Sequence, residues 1–182
     1  VNDWNAADAD LKVKKPGLFD RLTLTSPKSL TRRALKEAGA VAVSSADEPR
    51  FANIATGLAE VLKLGPVDLF VIGGEGANAL AGRTERPVVG LTRALLDTYA
   101  RTELEAVVAH CLVRHRHAGR RGSIVGFSDD VRAVSLTRYP PALAAAIQRA
   151  QPHKGRHPGM YLVAEGPTHR PVEERIAALA DL

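Results

Sequence analysis

His110, Cys111 and Arg114 stand where a zinc-dependent hydrolase would carry its metal and its base. Two histidines at i and i+4 of one helix can hold Zn²⁺ from a single face, and a glutamate directly after the first can activate the metal's water. The stretch 102–117, TELEAVVAHCLVRHRH, has the setting of such a helix. Its residue types depart from the requirement. Cys111 occupies the place of the base and Arg114 the place of the second histidine. A fixed cation repels Zn²⁺, and loss of the base alone typically costs about 10²–10⁴ in rate. The residues describe the scaffold of a metal site without its chemistry.

Other arrangements of reactive side chains are weaker. Cys111 and His115 are also i and i+4, and a thiolate with an imidazole is good zinc chemistry. Their face, however, is the one that carries Leu104, Val107, Val108 and Leu112. A buried cysteine and a packed histidine are the expectation there. His153 and His157 share the spacing but lie among Pro152, Gly155 and Pro158, where no helix would align them. The run Gly74-x-Gly76-x-x-Ala79 imitates a dinucleotide fingerprint. That fingerprint needs a helix opening at its last position, and here an extended segment follows. Asp68, Asp97 and Ser128 have no partner spacing that suggests a nucleophile system.

These residues must be positioned by one ordinary domain. The chain has 182 residues, 45% hydrophobic and 25% charged, which suits a folded globular protein. One cysteine excludes an internal disulfide framework and fits a reducing compartment. No apolar run approaches the roughly 18 residues that cross a bilayer, and no signal-peptide pattern is present. The first residue is Val1, so a processed chain or an excised piece is expected. The net charge is +5, concentrated at Lys12, Lys14 and Lys15 and again at Arg114, Arg116, Arg120 and Arg121. Either cluster alone reads most simply as a solvated face.

Punctuation along the chain sets the elements. Residues 1–25 read as an irregular segment with a short amphipathic patch at Leu18, Phe19, Leu22 and Leu24, and 26–182 as one domain. Ser26-Pro27 and Gly39 bracket a helix over 27–38. A second helix runs from Pro49 to Leu64, with Phe51, Ile54, Leu58, Val61 and Leu62 on one stripe and Gly65 ending it. Strands follow at 67–72, 77–81 and 86–91, then a short helix over 92–99. Thr102 and Glu105 form a capping box for a motif helix over 103–118, which Gly119 ends. A further helix covers 128–138, Pro140-Pro141 separates it from an Ala-rich helix over 142–150, and 151–159 is a loop. Met160–Ala164 reads as a strand and Pro171 opens the terminal helix. The fold class is α+β, with a helical majority and a small mixed sheet beside the motif helix.

Six segments in order resemble the peptidase domain of the HtpX-type membrane metallopeptidases, of the gluzincin clan. They are LFVI at 69–72, NALAG at 78–82, LTRALL at 91–96, ELEAVVAH at 103–110, LTRYPPAL at 136–143 and THRPVEERIAAL at 168–179. The resemblance spans roughly 47–182. It implies a zincin-like fold, with a third zinc ligand on the helix after the motif helix, four residues before an aspartate that supports a ligand histidine. That aspartate falls on Asp130, and the ligand position falls on Gly126. His110 and Asp130 match the family, while Cys111, Arg114 and Gly126 depart from it. Family members also carry membrane helices before this domain and between the two ligand helices. Only 119–125 fills the second place here, as a natural loss or an engineered join. Both basic clusters would then sit at the cytosolic side of a membrane.

The expectation is a pseudopeptidase without zinc or another cofactor, at the cytoplasmic face of a membrane, whose role is to bind a peptide or protein partner. In this family an edge strand pairs with extended peptide, and Asn78, Ala79, Leu80 and Ala81 match that strand. A further expectation is that Arg114 fills the metal's place and pairs with Asp130 or a neighbouring acceptor. One alternative is an active zinc endopeptidase with non-standard ligands. Another is a basic module binding anionic lipid or nucleic acid; aromatic residues at 4% and no stacking platform speak against nucleic acid. The sequence leaves any small-molecule ligand open.

Overall fold

A computed structural model describes residues 26–182, in α1 Pro27–Glu37, β1 Val41–Ala42, α2 Pro49–Val61, β2 Asp68–Ile72, β3 Ala79–Arg83, β4 Pro87–Thr92, α3 Arg93–Thr98, α4 Arg101–Arg114, α5 Phe127–Thr137, α6 Pro140–Arg149, a 3₁₀ turn Pro158–Met160, and α7 Val172–Ala180. The architecture is α+β. The basic cluster at 12–15 and the apolar patch at 18–24 lie outside the described residues.

The four strands lie in the order β1-β2-β4-β3. β2 and β4 run parallel, in the register Phe70 with Gly90, and the outer pairs are antiparallel. α4 packs against β3 and β4 on one side and against α2, α5 and α6 on the others. Its Leu104, Ala106, Val107, Val108, Ala109, Cys111 and Leu112 are all buried. This helix is therefore covered all round. Each fully buried Leu or Val contributes about 1.5–3 kcal/mol over its exposed state, so the helix that carries the motif is the one the core holds most firmly.

Local chemistry explains most boundaries. The Ser26 hydroxyl accepts the Ser29 N–H, and Pro27 follows it at the first helical position. Thr92 caps α3 by accepting the Leu95 N–H. Gly119 ends the chain's first turn beyond α4 at φ +68°, where a Cβ would also meet Met160 Cγ at 2.8 Å. At Gly82 a Cβ would strike Thr31, so glycine there lets α1 lie close against β3.

Several expectations need correction. The cap of α4 sits two residues earlier than Thr102 and Glu105 suggest: the Glu103 carboxylate accepts the Ala100 N–H, and Glu105 pairs with Arg101. The α-helix also ends at Arg114, with turns rather than helix up to Gly119. In α2, Val61 is 68% exposed and the buried face runs through Phe51, Ile54, Ala55 and Ala59. The prolines at 140 and 141 form the first turn of α6 instead of a separator. Met160–Ala164 is not a continuous strand; it makes bridges at Tyr161 with Leu80 and at Ala164 with His153. The two-residue β1 was not anticipated. Among the described residues no helix is long and apolar enough to cross a membrane.

Candidate functional site

α4 presents a polar stripe to α5. His110 and Arg114 are one turn apart, and His117 follows just beyond the helix. All three meet consecutive carboxylates at the start of α5. His110 Nδ1 stands 3.1 Å from Asp130 Oδ1, off the line of a strong hydrogen bond. Arg114 Nη1 donates to Asp129 Oδ2, and His117 Nε2 lies 2.8 Å from Asp129 Oδ1. From the other side, Arg175 on α7 clamps Asp130 with two parallel bonds, Nε to Oδ2 at 2.8 Å and Nη2 to Oδ1 at 2.7 Å. Arg114, Arg175, Asp129 and Asp130 are each no more than 2% exposed.

The remaining guanidinium donors reach main-chain oxygens. Arg114 Nη2 donates to Gly159 O at 2.9 Å, and its Nη1 also reaches Ile124 O at 3.2 Å. Arg175 Nη1 donates to Leu162 O at 2.7 Å. Two cations and two anions thus neutralise each other inside the protein and tie α4, α5, α7, the 119–125 link and the 159–162 segment together. Burial pushes the Asp129 carboxyl upward, but the His117 hydrogen bond and the Arg114 charge outweigh it and hold the group well below the usual range. Asp130 behaves likewise under the Arg175 charge, again against burial. Both are carboxylates at neutral pH.

Arg114 is turned inward, and its carboxylate partner is Asp129, the neighbour of Asp130. Asp130 belongs to Arg175. Two adjacent residues on a helix point about 100° apart, and only the register of α4 on α5 decides which meets which. Arg175 was the residue the sequence reading missed. Its signal was a lone arginine between Val172, Ile176 and Leu179, on a face that buries Ala178 and Leu179.

Zinc does not fit these residues. Both ring nitrogens of His110 are buried without a hydrogen-bond partner, whereas a metal-bound imidazole donates its other N–H to a carboxylate or carbonyl. Nothing else of a site surrounds His110: Arg114 brings a guanidinium, and Gly126, the N-cap of α5, brings no side chain. Among the described residues no three His, Cys, Asp or Glu converge to hold a metal ion. The second arrangement also fails to assemble. The Cys111 thiol is pushed up to about 12 by burial, and His115 turns its Nδ1 to Leu112 O. His153 bonds to Arg156 O and stacks on Tyr161, with ring centroids 3.6 Å apart, while His157 is a left-handed cap of the 3₁₀ turn.

The edge strand is where it was expected, but it is not open. β3 ends the sheet, yet Ala79 O accepts the Leu162 N–H at 2.9 Å and Leu80 bridges Tyr161. The Asn78 amide is spent on Gln151 O and Val163 O. The concave surface nearby is instead a cleft of about 660 Å³ at the carboxyl ends of β2 and β4, lined by the Gly73–Gly76 loop, Asn78, Thr92 and the 151–156 loop. No helix opens after Gly76, so the glycines there serve a strand–loop–strand link.

His169 lies near the cluster without bonding to it. Its Nε2–H donates to Tyr161 O and its Nδ1 faces Thr168 Oγ1, which fixes the neutral ring. Burial pushes its pKa down to about 4. Between pH 4 and the unfolded value near 6.5 the unfolded chain binds the extra proton, so stability must fall as pH drops through that window. Thermal denaturation is expected to show this loss, and His169→Gln to flatten it; an unchanged slope would remove His169 as its source.

Searches against protein families, characterised proteins and solved structures give no match to this chain.

Proposed function

We propose that this domain is a catalytically inactive relative of the HtpX-type zinc metallopeptidases, kept as a peptide- or protein-binding regulatory domain at the cytoplasmic face of a membrane. Arg114 carries the reading. It lies one turn from a buried histidine backed by a carboxylate, on the face where a second ligand would stand, and is fully buried on Asp129. A metallopeptidase uses its ion to lower the pKa of water and polarise the scissile carbonyl; here a guanidinium holds the two helices together. An active enzyme with non-standard ligands finds no support in the buried thiol of Cys111. For a partner, the cleft between the Gly73–Gly76 and 151–156 loops is a better candidate than the covered edge of β3.

Two measurements test this. The purified protein is expected to carry far less than one zinc per chain and to cleave no unfolded protein; about one zinc per chain after mild dialysis would overturn the reading. The triple variant Cys111→Glu, Arg114→His, Gly126→Glu is expected to bind zinc at micromolar concentration. His110 and Asp130 match the family's ligand and support positions, and helix spacing places the rest. A folded triple variant indifferent to zinc would sink the placement of Gly126, and the homology with it.

A further inference from the structure

From Ala106 to Ser128 the chain contains no acidic residue and carries Arg114, Arg116, Arg120 and Arg121. The structure turns part of this run outward. Arg114 is drawn inside, and the next two acids in the chain, Asp129 and Asp130, are buried and neutralised by Arg114 and Arg175. Their charge does not reach the solvent. Arg116, Arg120 and Arg121 are exposed. Among the described residues Arg116 and Arg120 have no acidic partner within ion-pair distance, unlike Arg93, Arg101 and Arg149, each held by a glutamate.

The backbone presents these charges on a firm turn. Gly119 and Gly122 take φ +68° and +78°, and successive bonds from Arg120 N to His117 O and from Ser123 N to Arg120 O close the turn. Beneath it, Gly119 N donates to Gly159 O, and Arg114 ties Ile124 and Gly159 into the core. A backbone already fixed in this way loses little freedom on meeting a surface, which lowers the cost of binding.

We propose that the turn from Arg116 to Gly122 is the face by which this domain adsorbs to an anionic lipid surface, Arg116 and Arg120 reading the negative headgroups. The proposal rests on the membrane-side placement in the functional reading above, but not on the loss of zinc. Lipid is favoured over nucleic acid because 115–124 contains no Phe, Tyr or Trp on which a base could stack. The turn also projects neither a helix nor a strand that could enter a groove.

Co-sedimentation with vesicles tests this, using phosphatidylcholine alone and phosphatidylcholine with about 30% phosphatidylserine. The protein is expected to bind the second and not the first, and to be released by salt. At about one surface charge per arginine, Arg120→Ala should weaken binding about fivefold and Arg116→Ala/Arg120→Ala about 25-fold. Arg101→Ala removes the same single charge at the opposite end of α4, about 20 Å away, and should leave binding unchanged. Equal losses for Arg101→Ala and Arg120→Ala would show a response to net charge alone and overturn the proposal. Absence of binding to either vesicle, or tighter binding to a single-stranded oligonucleotide than to the anionic vesicle, would also overturn it. Zinc content, measured on the same samples, reports on the pseudopeptidase reading separately.

Discussion

Arg175→Ala is expected to bring the domain to the edge of unfolding at room temperature. The change leaves Asp130 buried with only His110 beside it and frees Leu162 O of its donor. Removing one partner of a buried pair typically costs about 3–5 kcal/mol, against a total of about 5–15 kcal/mol for an ordinary domain. Chemical denaturation reads the loss as a lower midpoint. A mere loss of packing would behave differently from a stranded charge. Arg175→Met combined with Asp130→Leu removes both charges and keeps the volume, and should recover much of the stability that Arg175→Met alone loses. Simple additivity of the two changes would show that the pair does not act as one.

The second large effect separates the two carboxylates. Arg114→Ala should destabilise by a similar about 3–5 kcal/mol, because Asp129 then keeps only His117, itself partly exposed. In a double-mutant cycle Arg114→Ala and Asp129→Asn should couple by about 1–3 kcal/mol, whereas Arg114→Ala and Asp130→Asn should stay within about 0.5 kcal/mol of additive. The reverse ranking would mean that α4 and α5 meet in another register. Limited proteolysis of Arg114→Ala should also open first in 119–124, since Ile124 O and Gly159 O lose their shared donor.

The elements were legible wherever a residue's own backbone chemistry decided them. Ser26-Pro27, Gly39, Pro49 and Pro171 mark ends that local sterics and capping enforce, whereas α2 stops at Val61 on a left-handed Lys63, before the Gly65 expected to end it. The polar stripe of α4 was legible too, since His110 and Arg114 share a face by helix geometry alone. What could not be read depends on contacts between distant segments. The choice of Asp129 for Arg114 follows from how α5 docks, and the arrival of Arg175 from how α7 crosses behind it. The cover over β3 comes from residues 160–163, which carry too little alternation to announce a strand. The short β1 pairs with β2 through two residues, below the length at which any pattern exists. The α+β layout with a small mixed sheet beside α4 was as expected.

The two buried arginines have one more effect, on how the protein would fail. Gly159 O and Leu162 O, their main-chain acceptors, lie at either end of the segment laid along the outer side of β3. That segment satisfies an edge whose residues, Ala79, Leu80 and Ala81, are small and apolar and carry no charge to repel a neighbour. Bare edges of this kind recruit strands from other molecules. The charge cluster therefore helps to keep that edge covered. Damage to it would show first as concentration-dependent association, before the helices themselves melt.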